Sequence, residues 1–256
     1  MRCFYVSKRQ ISGKQIQILD SELHHLSDVL RLQKGDEITV LDGVGGVYDV
    51  LLVSVSTHLA IGEIRSWKQV EPSPIEVTLI QGISKSDSMD MIIQKATELG
   101  VYKIIPALCQ RTVPNFTTEK AQKRVIRWNQ IAVEASKQSR RPFFPKIHDI
   151  TKFNDSLNVS QADLKLIFTV PSIDSVCPQK LKDILRQRTD TKKVQIIVGP
   201  EGDFTDDEIN DALSVDAIPV SLGSNILRTE TASIAGLAIV LYELTNNFHE
   251  RKTKEH

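Results

Sequence analysis

Apolar and polar residues alternate along the first 70 residues of the chain. This alternation predicts short strands, because successive side chains of a strand point to opposite faces. Glycines at 43, 45 and 46 supply turns, and Asp20 or Ser21 is placed to cap one short helix. We expect a small, mostly β, barrel-like domain. Its predicted strands are residues 3–6, 15–19, 37–41, 47–55 and 58–64, and its helix is 21–30.

From residue 75 onward, apolar strand-like runs alternate with helical periodicity. This order is typical of an α/β domain with a largely parallel sheet. Pro72 and Pro74 favour a linker, so the predicted domains are 1–72 and 73–256. Gly100 should end a helix, and the tail 249–256 should be frayed. The predicted strands are 75–81, 101–106, 164–170, 194–199 and 218–222, and the helices are 87–99, 118–139, 178–188, 206–214 and 230–246.

Charge adds local rather than global information. The chain has 32 basic and 32 acidic residues, so its net charge does not point to nucleic acid. Residues 111–146, however, hold nine Lys or Arg against two acidic residues. Such a stripe suits phosphate binding, although a solvated helix face would look the same.

Several classes of protein are disfavoured. No long uninterrupted apolar run and no signal-peptide pattern occur, so we expect a cytoplasmic protein without a membrane span. Cys3, Cys109 and Cys177 are scattered, which argues against disulfides or a zinc site. His24 and His25 would point about 100° apart on a helix, so no metal site is expected.

Two loops that follow apolar strands are candidates for ligand binding. Residues 198–204 read Val-Gly-Pro-Glu-Gly-Asp-Phe, and Thr205 with Glu208 forms a capping-box pattern that opens the next helix. Open α/β sheets bind ligands at the carboxyl ends of strands. A plain strand-to-helix turn would give the same sequence pattern.

The second loop, residues 222–232, places Arg228 and Glu230 before an apolar helix. Such charges are costly there unless they are paired or face a ligand. Helix capping by Thr229 or Thr231 beside an incidental arginine is the alternative. The sequence has no dinucleotide fingerprint, phosphate-binding loop, catalytic carboxylate pair or Ser-His-Asp pattern.

A further set of motifs is spread over nearly the whole chain. They are Met1-Arg2-x-Phe4, His24-His25-Leu26-x-x-Val29-Leu30-Arg31, Lys85, the segment 93–101 (IQKATELGV), Arg111, Trp128, Glu134-Ala135, Gln138, Arg140, Pro145, Gly199-Pro200-Glu201-Gly202 and the segment 222–232. In their order and spacing, these motifs resemble the bacterial 16S rRNA (uracil-N3)-methyltransferase family of the SPOUT, or α/β-knot, superfamily.

The resemblance implies a PUA-like β-barrel that holds RNA and a domain with a deep trefoil knot, whose loops bind S-adenosylmethionine. It also implies 16S rRNA, within the 30S subunit, as substrate, and a homodimer whose interface includes the apolar helix 232–241. The cofactor-binding residues would be Phe168, Thr169, Val170, Gly199, Pro200, Glu201, Gly202, Leu222, Gly223, Ile226, Leu227, Thr231 and Ala232. The RNA-binding residues would be Arg2, His25, Arg31, Lys95, Arg111, Arg124, Arg127, Arg140 and Arg141.

Asp203 stands where the family usually has a glycine. If that position needs a positive φ, aspartate tolerates it better than most residues do. Its carboxylate could also bond a first-turn amide or repel RNA phosphate.

The reaction implied by the resemblance is attack of uracil N3 on the methyl group of S-adenosylmethionine. Arg228 would stabilise the uracil anion, and Glu230 would orient Arg228 or accept the N3 proton. The target uridine should be unpaired or flipped out. A ribose 2′-O-methyltransferase of the same superfamily and a non-catalytic RNA-binding ribosome-assembly protein are the alternatives.

Overall fold

The computed structural model describes residues 2–112, 117–169, 178–188 and 190–254, with side chains described as far as residue 246. The chain forms two compact units, one of residues 1–72 with 133–144 and one of residues 73–132 with 145–256. The predicted domain boundary between residues 72 and 73 stays a prediction. The structure adds that residues 133–144 belong to the first unit.

The first unit is built on a six-stranded sheet, in the order β1-β4-β5-β6-β3-β2. β1 and β4 are parallel, and the other neighbours are antiparallel. All five predicted strands are present, together with one short strand that was not predicted. The strands are β1 (Cys3–Tyr5), β2 (Ile11–Ser12), β3 (Gln15–Ile18), β4 (Glu37–Leu41), β5 (Gly46–Val55) and β6 (Ala60–Gln69).

The predicted helix 21–30 is present in a modified form. α1 (Asp20–His24) continues into a π-helical segment, His25–Val29. The predicted cap is wrong. Leu19 occupies the N-cap position, where it offers no side-chain oxygen, and Asp20 is the first helical residue with φ 53°.

The second unit is an α/β domain on a sheet whose strand pairs are all parallel, in the order β10-β8-β7-β13-β11-β14-β12, with β9 beside β8. The strands are β7 (Glu76–Gly82), β8 (Lys103–Leu108), β9 (Lys146–Ile147), β10 (Thr151–Lys152), β11 (Leu164–Phe168), β12 (Gln179–Lys180), β13 (Lys193–Val198) and β14 (Ala217–Ser221). The helices are α2 (Ser86–Leu99), α3 (Thr118–Ser139), α4 (Phe153–Ser156), α5 (Leu181–Gln187), α6 (Asp206–Ser214) and α7 (Thr229–Lys254).

Apolar cores lie on both faces of this sheet, which confirms the predicted α/β architecture. Along β7, Leu79 belongs to one core and Ile80 to the other. Gly100 ends α2 as predicted, with φ 108° and its amide bonded to the Ala96 carbonyl. α7 runs on to Lys254, and the predicted fraying of residues 249–256 stays a prediction. In the described part of the chain, none of the helices is long and apolar enough to span a bilayer.

The strand order positions the candidate site. β11 lies between β13 and β14, and β7 lies on the other side of β13. Parallel strands bring their carboxyl ends to one edge of the sheet. The segments after Phe168, Val198 and Ser221 therefore meet there, although they are far apart in sequence.

Candidate cofactor and catalytic site

A cavity of about 520 Å³ opens at this edge of the sheet. Its walls come from the ends of β11, β13 and β14, from the loops that follow β13 and β14, and from the beginnings of α2 and α7. Two close backbone approaches shape it. A Cβ on Gly82 would lie 2.6 Å from Pro200, and a Cβ on Gly236 would lie 1.9 Å from the Phe168 ring. Glycine at both positions lets the Pro200 loop and α7 pack against the strand ends.

The loop after β13, residues 199–204, is held by its own backbone and by Asp203. The Asp203 amide donates to the Pro200 carbonyl at 3.0 Å, and Asp203 adopts φ 59°. The left-handed backbone expected for this position is therefore present. The Asp203 carboxylate accepts a hydrogen bond from the Phe204 amide at 2.8 Å. Burial raises the pKa of Asp203, and the Phe204 amide and Arg111 oppose that shift.

Two further contacts fix the same loop. The Arg111 guanidinium donates to the carbonyls of Gly202 at 3.1 Å and Phe204 at 3.0 Å. Glu201 accepts the Lys85 amide at 2.8 Å. The Thr205–Glu208 capping box is confirmed, and it begins α6 immediately after the loop. Arg111, predicted as an RNA contact, thus bonds the candidate cofactor loop.

The loop after β14 brings Arg228 and Glu230 to the cavity wall. Within the described part of the chain, neither side chain makes a hydrogen bond or an ion pair. No direct contact between the two side chains therefore supports the prediction that Glu230 orients Arg228. The hydroxyl of Thr229, between them, donates its proton to the Gly199 carbonyl at 2.6 Å and so cannot donate it to a ligand. Arg228 is thus an exposed cation that faces a cavity and is available to a ligand.

Most predicted cofactor-binding residues meet at this cavity. Lining it are Phe168, Thr169, Gly199, Pro200, Glu201, Leu222, Ile226, Leu227 and Ala232. Gly202, Gly223 and Thr231 are not among its lining residues, and Val170 lies outside the described residues. Sequence reasoning missed the lining residues Ser88, Val220 and Ser221, and gave no role to Lys85 or, within the two candidate loops, to Val198 and Asn225. Position at the end of a parallel strand is the signal that could have found Val198, Val220 and Ser221.

The predicted RNA-binding residues of the second unit lie outside this cavity. Lys95 pairs with Glu98 at 2.9 Å, and Arg127 pairs with Asp90 at 2.6 Å. Arg124 is half-buried on α3. Both pairs are partly open to solvent, and ion pairs near a protein surface contribute little energy, so they can be exchanged for a phosphate contact.

The predicted RNA-binding residues of the first unit are more varied. His25 packs edge-on against Phe4, and Arg31 is exposed with φ 53°. Arg2 pairs with Asp36 at 2.9 Å. Arg141 is half-buried, and burial lowers its pKa to about 10.

Arg2 and Arg140 line a second pocket, of about 470 Å³, in the first unit. Four of its lining residues form a row across four strands, since Cys3 pairs with Thr39, Thr39 with Asp49 and Asp49 with Ser66. A β-bulge in the pairing of β5 with β6 brings Arg65 to the same pocket as Ser66. Burial raises the pKa of Cys3 to about 11, so its thiol stays neutral.

An aromatic pair on this unit was also missed by sequence reasoning. The Trp67 ring is 62% exposed and stacks on Tyr48 with an interplanar angle of 18°. The Tyr48 hydroxyl lies 3.3 Å from Asp42, which anchors the pair. An exposed tryptophan on a strand is a surface on which an unpaired base can stack.

Comparison with known proteins agrees with this arrangement. Residues 71–241 match the family model described as RNA methyltransferase domain, and residues 18–65 match the model described as RNA methyltransferase PUA domain. Ribosomal RNA small subunit methyltransferase E of Bacillus subtilis is 31% identical, over 93% of this chain and 94% of that protein. The Synechocystis protein of that name is 32% identical, over 91% of this chain and 75% of its own length.

Solved structures show the same relationship. The crystal structure of ribosomal RNA small subunit methyltransferase E from Neisseria gonorrhoeae bound to S-adenosyl methionine is 33% identical with a TM-score of 0.83, and the match covers 94% of this chain and 97% of that one. The predicted family and its pairing of a PUA-like domain with an α/β methyltransferase domain are confirmed, whereas the trefoil knot stays a prediction. The chain belongs to the ribosomal RNA small subunit methyltransferase E family of RNA methyltransferases.

Proposed function

We propose that this protein transfers a methyl group from S-adenosylmethionine to N3 of a uridine in 16S rRNA. The observation that carries the proposal is the 520 Å³ cavity with Arg228 and Glu230 in its wall, whose side chains make no hydrogen bond or ion pair with the described residues. Relatives named small subunit methyltransferase E support the RNA substrate. The related structure bound to S-adenosyl methionine supports the cofactor.

The residues present fit this cofactor. The volume lies in the usual range for small-molecule sites. Apolar side chains such as Leu222 and Leu227 suit an adenine ring, and backbone at Gly199 and Pro200 can be approached closely. The Thr169 hydroxyl is buried with no partner among the described residues, so a polar cofactor atom would satisfy it.

When bound, S-adenosylmethionine supplies an electrophilic methyl group. The task left to the chain is to make N3 of uracil nucleophilic, because neutral N3 carries a proton. Loss of that proton places negative charge on O2 and O4. The Arg228 guanidinium can donate to one of these oxygens. Glu230 is our candidate for accepting the N3 proton.

We further propose that residues 1–72 form an RNA-binding domain and that residues 73–256 form the catalytic domain. Arg2, Arg65 and Arg140 surround the polar pocket of the first unit, where they can contact phosphate. Trp67 offers a stacking surface for an unpaired base. Affinity for RNA should then fall as salt rises.

The assembled 30S subunit is the proposed form of the substrate, and its methylation would take place in the cytoplasm. A homodimer is proposed as well. Ile239 and Tyr242 of α7 are 40% and 68% exposed, and a second copy would cover such apolar side chains.

The test is methyl transfer from labelled S-adenosylmethionine to 30S subunits that lack the modification. Nucleoside mapping by mass spectrometry should find N3-methyluridine. Free 16S rRNA is the parallel substrate, and a preference for the subunit would support the proposed form. A ribose-methylated product, or no transfer from a chain that binds the cofactor, would reject the proposal.

A further inference from the structure

Three buried polar side chains lie beside the cavity, and one of them, Thr229, is part of its wall. Gln81 is the last residue but one of β7 and is fully buried, while Ser233 and Thr229 of α7 are 1% and 7% exposed. Buried polar groups are costly unless they are hydrogen-bonded, and an apolar core would serve stability as well. Their presence here therefore calls for a geometric reason.

The three side chains form one connected set of hydrogen bonds. Gln81 Nε2 donates to Thr229 Oγ1 at 3.0 Å and to the Gly82 carbonyl at 2.9 Å. Thr229 Oγ1 in turn donates to the Gly199 carbonyl at 2.6 Å. The Ser233 hydroxyl lies within reach of Gln81 Oε1 and of the Thr229 carbonyl. Residues far apart in sequence are thus joined through the Gln81 amide.

The set connects the parts of the cavity that must be aligned for reaction. Gly199 opens the proposed cofactor loop, and Thr229 stands between Arg228 and Glu230. The backbone of Arg228 is therefore held relative to the cofactor loop by bonds that begin at Gln81. Because these bonds are directional, they fix the position of Arg228 more tightly than apolar packing would.

We infer that Gln81, Thr229 and Ser233 form a positioning network that holds Arg228 in register with the Gly199 loop. The inference rests on the proposed function, since it concerns where Arg228 acts. The three residues contribute to the reaction through Arg228 and not by touching the reacting atoms. Misplacement of a reacting group by about 1 Å costs on the order of 100-fold in rate.

Thr229→Val and Thr229→Ser make a matched pair for the test. Valine keeps the branched shape and loses the hydroxyl, whereas serine keeps the hydroxyl. With saturating cofactor and 30S subunits, kcat should fall on the order of 100-fold for valine and stay near wild type for serine. Calorimetry with S-adenosylmethionine should show a smaller change for both. Thr78→Val, on the same strand as Gln81, is the control for losing a buried threonine hydroxyl.

A double-mutant cycle separates positioning from mere stability. In an Arg228→Ala background, Thr229→Val should cost little further activity, because the group being positioned is gone. Ser233→Ala, which leaves a smaller defect, should show the same non-additivity if Thr229→Val does not fold. A loss that persists in full without Arg228, or a serine variant as impaired as the valine variant, would overturn the inference. Wild-type turnover tests the proposed function separately.

Discussion

The two pockets of this protein are built in opposite ways. The cavity of the second unit is made by strand ends and loops, with much of its wall supplied by backbone and apolar side chains. The pocket of the first unit is made by polar side chains that neighbouring strands align across a sheet. Backbone walls suit one small molecule of fixed shape, whereas arginines on a sheet suit a flexible, charged chain. Under the proposed function, the two pockets would recognise cofactor and RNA by different physical means.

The sharpest test of this comparison is to remove Arg228, the one arginine that lines the cavity among the described residues. Arg228→Ala should lower kcat about 100- to 1,000-fold, the usual cost of losing one donor to a developing negative charge. Binding of S-adenosylmethionine, measured by calorimetry, should be unchanged. Arg186→Ala on α5, which removes an exposed arginine outside the cavity, is the control. Full turnover without Arg228 would remove it from the reaction.

The next largest effect should come from filling the space that Gly236 leaves for Phe168. A methyl group there would lie 1.9 Å from the ring, so Phe168 or α7 must shift. Overpacking of this kind costs about 1–3 kcal/mol, and the preference of a helix for alanine over glycine offsets about 1 kcal/mol of that cost. The free energy of unfolding of Gly236→Ala should therefore fall by up to about 2 kcal/mol. Because Phe168 lines the cavity, cofactor affinity should fall too. Ala238→Gly destabilises α7 by about 1 kcal/mol without that contact and should leave cofactor affinity intact.

These two sites differ in how far sequence could predict them. The cavity loops carry glycine, proline and a helix cap, which are local signals, so residues 199–203 and 222–232 could be singled out. The strand order β13-β11-β14, which brings Val220 and Ser221 to the cavity wall, depends on the tertiary structure. Local sequence patterns therefore do not predict it. The pocket of the first unit depends on strand register and on a bulge. No local sequence pattern therefore marks Thr39, Asp49 and Ser66 as neighbours in a pocket. The burial and hydrogen bonds of Gln81 could not be predicted either, because a polar residue at the end of an apolar strand is usually exposed.

The pocket of the first unit gives a smaller, salt-dependent prediction. Arg140→Ala should weaken binding of 16S rRNA and reduce the slope of log affinity against log salt by about one, as for one lost phosphate contact. Cofactor affinity should not change. Filter binding across a salt series measures the slope, and Arg9→Ala, an exposed arginine of the same unit outside the pocket, is the control. Equal slopes for both variants would mean that the pocket is no RNA contact.

The smallest expected effect concerns Asp203 and pH. Burial raises the pKa of Asp203 in the folded protein above its ordinary value of 3.8. Folding therefore favours the protonated carboxyl, and wild-type stability should fall as pH rises from the unfolded-state pKa through the folded-state pKa. Asp203→Asn tolerates the left-handed backbone and keeps an oxygen for the Phe204 amide, but it does not titrate. The variant should match the wild type near pH 3 and become the more stable of the two toward neutral pH, by less than about 1 kcal/mol since the group is partly exposed. Denaturant titrations of both proteins across this range measure the difference. If the wild type instead became more stable relative to the variant as pH rises, the Phe204 amide and Arg111 would have a larger effect on the Asp203 pKa than burial has.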